Sequence, residues 1–359
     1  MDFAYKFPAV RGTQAGKTFY TAMVPLRMLK KLFGAGDEYV LPEYRAQRRL
    51  NESRIPVIRD YIIDNRNTYV FSALAASIDG KMEFIPCSST DLGTLEISID
   101  STFLINDGQH RIAAIFEAVE EDETLLNETI SVVFFEDQGL ARSQQMFTDL
   151  NKHAVRTSNS IAELYDGRDP LAVATREMVQ SIPFLNQYTD KEKDNLGKLS
   201  ATLFTLNMFY KANKRIAGRD EVDGELDDFI KRYWKSVTAH MIPWHEVSRG
   251  ELKKVDLREQ SIAAQAVLVQ ALGRVGRSLR GATPEKLEST LAQLETLSWS
   301  RVDPTWHMRT INANGRIMSN DRAITLTANA IKKHLSLALT PEEMKKENEL
   351  TALESEEQE

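Results

Sequence analysis

The spacing of apolar residues changes twice along this chain. In the first half it follows a period of two. Leu95, Ile97 and Ile99 alternate with polar neighbours, Phe103-Leu104-Ile105 follows, and Phe71–Ile78 and Ile130–Phe135 are dense enough to be buried strands. Between them the period lengthens: Ile112, Ile115, Phe116 and Val119 stand at i, i+3, i+4 and i+7, one buried face of a helix. Pro25 opens a shorter helix carrying Leu26, Leu29, Leu32 and Phe33 and stopped by Gly34 and Gly36. Ile55, Ile58 and Ile62 mark another, and Gln138–Leu150 reads as helix. The Asp79-Gly80-Lys81 step predicts a hairpin turn. After Ser158-Asn159-Ser160, a helix-capping run, the strand signals stop. Helices are then expected over 199–212, 226–239, 257–280 and 321–337. The pattern predicts an α+β fold: a mixed-sheet domain over 1–160, a helical domain over 161–341 and an acidic flexible tail over 342–359.

Charge sharpens that last division. The 359 residues carry a net charge of −7, but 342–359 hold eight Glu and two Lys, a charge of −6, so the remainder is near −1. Such a run reads as mobile, and net acidity does not argue against a nucleic-acid partner for the folded part. A hydrophobic fraction of 42% without a membrane-length apolar run or a secretory pattern predicts a soluble, cytoplasmic protein. One cysteine, Cys87, excludes an internal disulfide and any multi-cysteine metal site, and the six histidines show no metal-binding spacing.

Candidate chemistry concentrates where the period changes. Asp107-Gly108-Gln109-His110-Arg111 places an acid, a glycine, an amide, an imidazole and a guanidinium between a strand and a helix. A helix entered through glycine offers free N–H groups to an anion, and Arg111 adds a fork suited to phosphate. The same residues also suit a polar turn capped by Asp107. Asp107 and His110 are the candidate catalytic pair; Gly108, Gln109 and Arg111, with Asn151 and Lys152 further on, are the candidate nucleotide- or phosphate-binding residues. For Asn151 and Lys152 a helix cap is an equal reading. An earlier glycine run, Gly12–Thr18, leaves three residues between its glycines where a phosphate-binding loop needs four, and strand-like Phe19–Val24 follows it. It reads as a hairpin turn. Two arginine groups are candidate DNA contacts or simply solvated faces: Arg45, Arg48, Arg49, Arg54 and Arg59 in one segment, and Arg274, Arg277 and Arg280 spaced three apart on a helix.

The Asp107–Arg111 motif is the signature of DGQHR-domain proteins, which resemble the ParB and sulfiredoxin superfamily. With Phe7-Pro8-Ala9-Val10-Arg11-Gly12, Phe71-Ser72-Ala73-Leu74 and Ile311-Asn312-Ala313-Asn314-Gly315-Arg316, the chain resembles the DndB family over about residues 3–341. That resemblance implies a place in the bacterial system that replaces a non-bridging phosphate oxygen of DNA with sulfur. It implies the regulatory member: a DNA-binding protein that represses the modification genes, its grip modulated by ATP or another nucleoside triphosphate, with or without Mg²⁺. DNA, nucleotide and other proteins of the phosphorothioation system would be its partners. A nucleotide hydrolase or DNA-nicking nuclease using the same motif is the alternative. In ParB-like domains a Gly-Glu-Arg-Arg motif grips a triphosphate, and in sulfiredoxin a Gly-Gly-Cys-His-Arg motif does so and carries a nucleophile. Here Gln109 stands where that cysteine would be, so the resemblance implies phosphate binding without thiol chemistry.

Overall fold

The computed structural model describes residues 3–34, 51–88, 91–136, 145–146, 149–150 and 158–356, the last four of these by backbone alone. The chain divides into two compact units, Met1–Val155 and Arg156–Glu359.

The first unit is built on one seven-stranded sheet. Strands β1 (Ala4–Gln14) and β2 (Lys17–Pro25) form a hairpin through Ala15 and Gly16, both with left-handed φ. The glycine run that imitates a phosphate loop is therefore a two-residue β-turn. Helix α1 (Leu26–Phe33) follows, burying Leu26, Leu29 and Leu32, then α2 (Ile55–Asp64). After them come β3 (Leu74–Asp79), β4 (Met82–Pro86), β5 (Leu92–Ser98), β6 (Thr102–Asp107), α3 (Gln109–Glu121) and β7 (Thr129–Glu136). Strand order is β4-β5-β1-β2-β7-β3-β6, with β3 and β7 parallel and the other pairs antiparallel, a mixed sheet. Inward residues such as Phe7, Val24, Leu95, Ile97, Val132 and Phe134 form one core with Leu29, Ile62, Ile112 and Ile115 of the helices.

Asp79-Gly80-Lys81 does not turn a hairpin. β3 pairs with β6 and β7, whereas β4 pairs with β5 alone. Gly80 (φ +139°) is instead the kink in one long ribbon, β3–β4 running against β5–β6, and the reversal lies between Pro86 and Leu92. A Cβ on Gly80 would stand 2.4 Å from Ser101 Oγ in the connection between β5 and β6, so the kink needs glycine. Three Cα steps cover at most about 11 Å. Five strand spacings, the separation of β3 and β4 in a flat sheet, are about 24 Å. The sheet therefore curls until its two ends approach. A glycine of positive φ serves a turn and a kink equally, and only the strand pairing separates them.

The second unit is helical: α4 (Asn159–Tyr165), α5 (Pro170–Ser181), α6 (Pro183–Tyr188), α7 (Leu206–Ala217), α8 (Gly224–His240), α9 (Ile242–Ser248), α10 (Lys254–Gln260), α11 (Ala266–Ser278), α12 (Pro284–Leu291), α13 (Asp321–His334) and α14 (Pro341–Glu356), with a two-strand parallel pair at Thr189–Asp190 and Phe204–Thr205. Trp234, Trp244, Trp306 and Phe209 are among its fully buried side chains. Three expectations are corrected here. The helix read over 199–212 starts only at Leu206, where Thr205 caps it by accepting from Met208 N–H. The helix read over 257–280 is broken at Ser261, which forms a bridge to Ser300 and donates its hydroxyl to Trp299 O. The tail expected to be flexible from 342 is helix α14, held by carboxylates it buries: Glu343 and Glu347 are 2% and 5% exposed. Composition reports how much charge a segment carries, not whether cations elsewhere in the fold face it. No helix among the described residues is long and apolar enough to cross a membrane.

Candidate functional site

The candidate site is the junction at which β6 becomes α3. Asn106, 1% exposed and next to last in β6, donates from Nδ2 to Ser77 Oγ on β3 at 2.7 Å. Gly108 then takes φ +103°, ψ +11°, a left-handed turn that lets α3 start immediately. A Cβ there would lie 2.3 Å from Leu74 Cδ2, so glycine is required twice, by conformation and by the close packing of β3. Ile112 N–H bonds to Gly108 O, the first rung of the helix, and no side chain caps this end. The amides of Gln109, His110 and Arg111 lie ahead of that rung, outside the helix's own ladder.

The motif's side chains are wired into the fold. Arg111 reaches back one turn to Asp107, Nη2 to Oδ2 at 2.5 Å, and across to the start of β3, where Nη1 donates to Ser72 O (2.5 Å), Ser72 Oγ (2.6 Å) and Ala73 O (3.2 Å). Its side chain is 16% exposed against 40% for Asp107. His110 Nε2 accepts the backbone N–H of Asn51 at 2.9 Å, so in this geometry that nitrogen carries no proton. Asn51 in turn caps the short turn Glu52–Arg54, its Oδ1 accepting from Ser53 N–H and Oγ–H. One five-residue motif thus fixes the entry to β3 through Arg111 and the entry to α2 through His110. Ser72 and Asn51, the partners in both ties, are not apparent from the sequence. Ser72 sits in an apolar run and Asn51 beside an arginine run, and neither pattern marks a hydrogen-bond partner.

The other candidates are scattered. Arg45, Arg48, Arg49, Asn151 and Lys152 lie outside the described residues. Arg54 is exposed on the 52–54 turn. Arg59 binds Asp60 (2.7 Å) and approaches Glu117 and Glu121 on α3 at 3.6 and 3.8 Å; the Asp60 hydrogen bond and charge raise its pKa. In the second unit the arginine stripe splits. Arg274 turns to Glu343 (3.2 Å), whereas Arg277 donates to Ala217 O (2.9 Å) and Arg280 to Asp220 (2.5 Å), closing the C-terminus of α7. Arg277 and Arg280 also line an open cleft of about 540 Å³ with Arg232, Asp223 and Glu225. Cys87 is exposed and its thiol donates to Leu92 O. Among the described residues no three His, Cys, Asp or Glu side chains are grouped to hold a metal.

The first unit also holds a cavity of about 330 Å³ lined by Leu26, Ile62, Phe71, Ile115 and Ile130, and by none of the motif's five residues. Its polar edge is self-paired: Arg66 binds Asp122 (2.7 Å) and Glu128 (2.8 Å), and Tyr69 donates to Glu128. Burial first, then the Glu128 carboxylate, push the Tyr69 hydroxyl well above its ordinary range.

A family model described as DndB, DNA-sulfur modification-associated, matches residues 7–338. No curated protein and no solved structure matches the chain.

Proposed function

Because the chain belongs to the DndB family and so takes part in DNA sulfur modification, we propose that it acts there as a DNA-binding regulator of the modification genes, its hold on DNA adjusted by a nucleoside triphosphate at the Asp107–Arg111 junction. The observation that carries this reading is the wiring of the motif. A hydrolase or nicking nuclease would need Asp107 free to hold Mg²⁺ or water and His110 free to take a proton. Asp107 is ion-paired to Arg111, and the Nε2 lone pair of His110 is occupied by Asn51 N–H. The amides of Gln109 and Arg111 lie outside the helix's own ladder, and the helix dipole favours an anion there.

A triphosphate fits that set. Its terminal groups would be held by the amides of Gln109 and Arg111 and by the remaining guanidinium donors. A magnesium ion fits less well, with Asp107 as the sole carboxylate of the motif and already paired. Occupancy at the junction bears directly on Asn51 through His110 and on Ser72 through Arg111. Asn51 starts the turn and helix that carry Arg54 and Arg59. Nucleotide and DNA would then be coupled through one hydrogen-bonded segment.

The test is a titration of the purified chain with labelled promoter duplex, with and without ATP. Binding that ATP shifts severalfold, with turnover negligible on that timescale, supports the proposal. Binding indifferent to ATP, or ATP hydrolysed at a catalytic rate, moves the assignment to the enzyme reading.

A further inference from the structure

Helix α14 has almost no apolar seam. Leu350 is its one deeply buried hydrophobic side chain among the described residues, and Met344 is 51% exposed. What it buries are carboxylates. Both oxygens of Glu343 accept from Lys332 Nζ at 2.8 Å, and Arg274 approaches at 3.2 Å. Glu347, one turn on, is held by Arg309 and Lys333, each at 2.5 Å, and by Asn329 Nδ2 at 3.1 Å. The seat under the helix is correspondingly polar. Thr325, Asn329, Lys332 and Lys333 follow one another along a face of α13, Arg274 adds to it from α11, and Arg309 from the 306–316 turn. Asp321, the carboxylate at the far end of that face, is taken up by Arg215 (2.9 Å) and Lys346 (3.7 Å).

Apolar side chains would hold a permanent C-terminal helix at less cost than charges do. Taking Lys332, 2% exposed, out of water is expensive unless an anion meets it. A seat of four converging cations is specific for anions, and its attraction for any one of them is exchangeable. We infer that the face formed by Arg274, Arg309, Lys332 and Lys333 is a binding surface for the phosphate backbone of nucleic acid, occupied in this structure by α14, whose carboxylates stand where phosphates would. The inference rests on the DNA-binding reading above and adds to it a second contact surface and an internal competitor. Arg274, one of the three arginines of the sequence stripe, belongs to this surface, whereas Arg277 and Arg280 belong to the α7 terminus.

The experiment uses the full-length chain. Wild type and the Glu343→Gln/Glu347→Gln double variant are titrated with a labelled DNA duplex over a salt series. The double variant keeps the helix length and loses two competing charges. It is expected to bind roughly tenfold tighter, with a salt slope steeper by about 0.9 for each phosphate newly engaged. Adding Lys333→Ala should cancel most of the gain. In parallel, amide exchange over 341–352 is followed in wild type, with DNA and separately with heparin as a polyanion; both are expected to deprotect the helix. A folded double variant with unchanged affinity and slope overturns the inference. So does a helix whose protection survives saturating DNA and heparin, and that arm decides the matter if the double variant does not fold. If wild type binds no DNA at any salt while heparin still releases α14, the DNA-binding reading fails and the inference with it, the surface then being a seat for a polyanion other than DNA.

Discussion

Arg111 is the residue whose role changes most between sequence and structure. In the sequence it reads as a candidate phosphate fork; in the structure it fastens Asp107 to Ser72. Arg111→Ala is expected to weaken ATP binding by roughly 1.5–3 kcal/mol, the scale of a charge-assisted contact, measured by calorimetry on protein shown to be folded. ATP affinity equal to wild type would leave Arg111 with only its internal tie. His110→Gln separates two further roles, since glutamine keeps a hydrogen-bond acceptor for Asn51 N–H but cannot move a proton. Binding and the ATP effect on DNA should survive in that variant; loss of a measurable ATP turnover would restore His110 as a base. Glu163 offers a test independent of the motif. It is 9% exposed, and burial first raises its pKa, to about 7, against a hydrogen bond from Asn207 and with help from Asp194. A carboxyl that holds its proton more tightly when folded favours the native state at low pH. That advantage is complete below about 4.5 and is lost as pH rises towards 7. Glu163→Gln should therefore gain up to about 3 kcal/mol over wild type in urea unfolding at pH 8 and almost nothing at pH 4. An equal difference at both pH values would refute the assignment.

Between elements, the tight approaches are made by glycine. α11 crosses α7 so closely that a Cβ on Gly273 would stand 2.3 Å from the Ala212 carbonyl, backbone that cannot swing aside. Gly273→Ala is expected to cost about 1–3 kcal/mol despite alanine's better helix propensity, read as a lower midpoint in chemical denaturation. A neutral or stabilising result would mean that the two helices slide apart freely. Helix α14 is held by different physics. Burial alone would raise Glu347, but Arg309 and Lys333 outweigh it and hold the carboxyl at about 2. This is the depressed case: the contribution is present above about pH 4.5 and disappears as pH falls towards 2. α14 should lose exchange protection over that window ahead of the core of its own unit, a difference on the order of 3 kcal/mol at most. Simultaneous loss everywhere would show that the pair is not what holds the helix.

For the molecule as a whole, net charge is a poor guide to its partner. Most of the excess acidity belongs to the segment from 342, and in the structure part of it is neutralised face to face by Arg274, Arg309, Lys332 and Lys333. A protein of net charge −7 can therefore present cationic surface once that contact opens. DNA affinity of wild type should fall steeply with salt, the slope counting the phosphates neutralised at about −0.9 each. A flat response would exclude backbone-dominated binding by either arginine segment.

Local pattern was enough to identify the motif and the elements that flank it. Period-two spacing over 95–105 and period-3.6 spacing over 112–119 are properties of neighbours in the chain, so β5, β6 and α3 follow from them, as does the division into a sheet-bearing and a helical part. The motif could be read for the same reason: strand, glycine and helix are consecutive. What no local pattern contains is pairing between distant residues. Whether Gly80 turns or kinks depends on β6 and β7 pairing with the strand before it and β5 with the strand after it. Whether Arg111 faces a ligand or Ser72 depends on a segment 39 residues away. Whether an acidic run is a tail or a helix depends on four cations from other elements of its unit. The cost of burying a charge is set by what meets it in space, and only the tertiary structure supplies that partner.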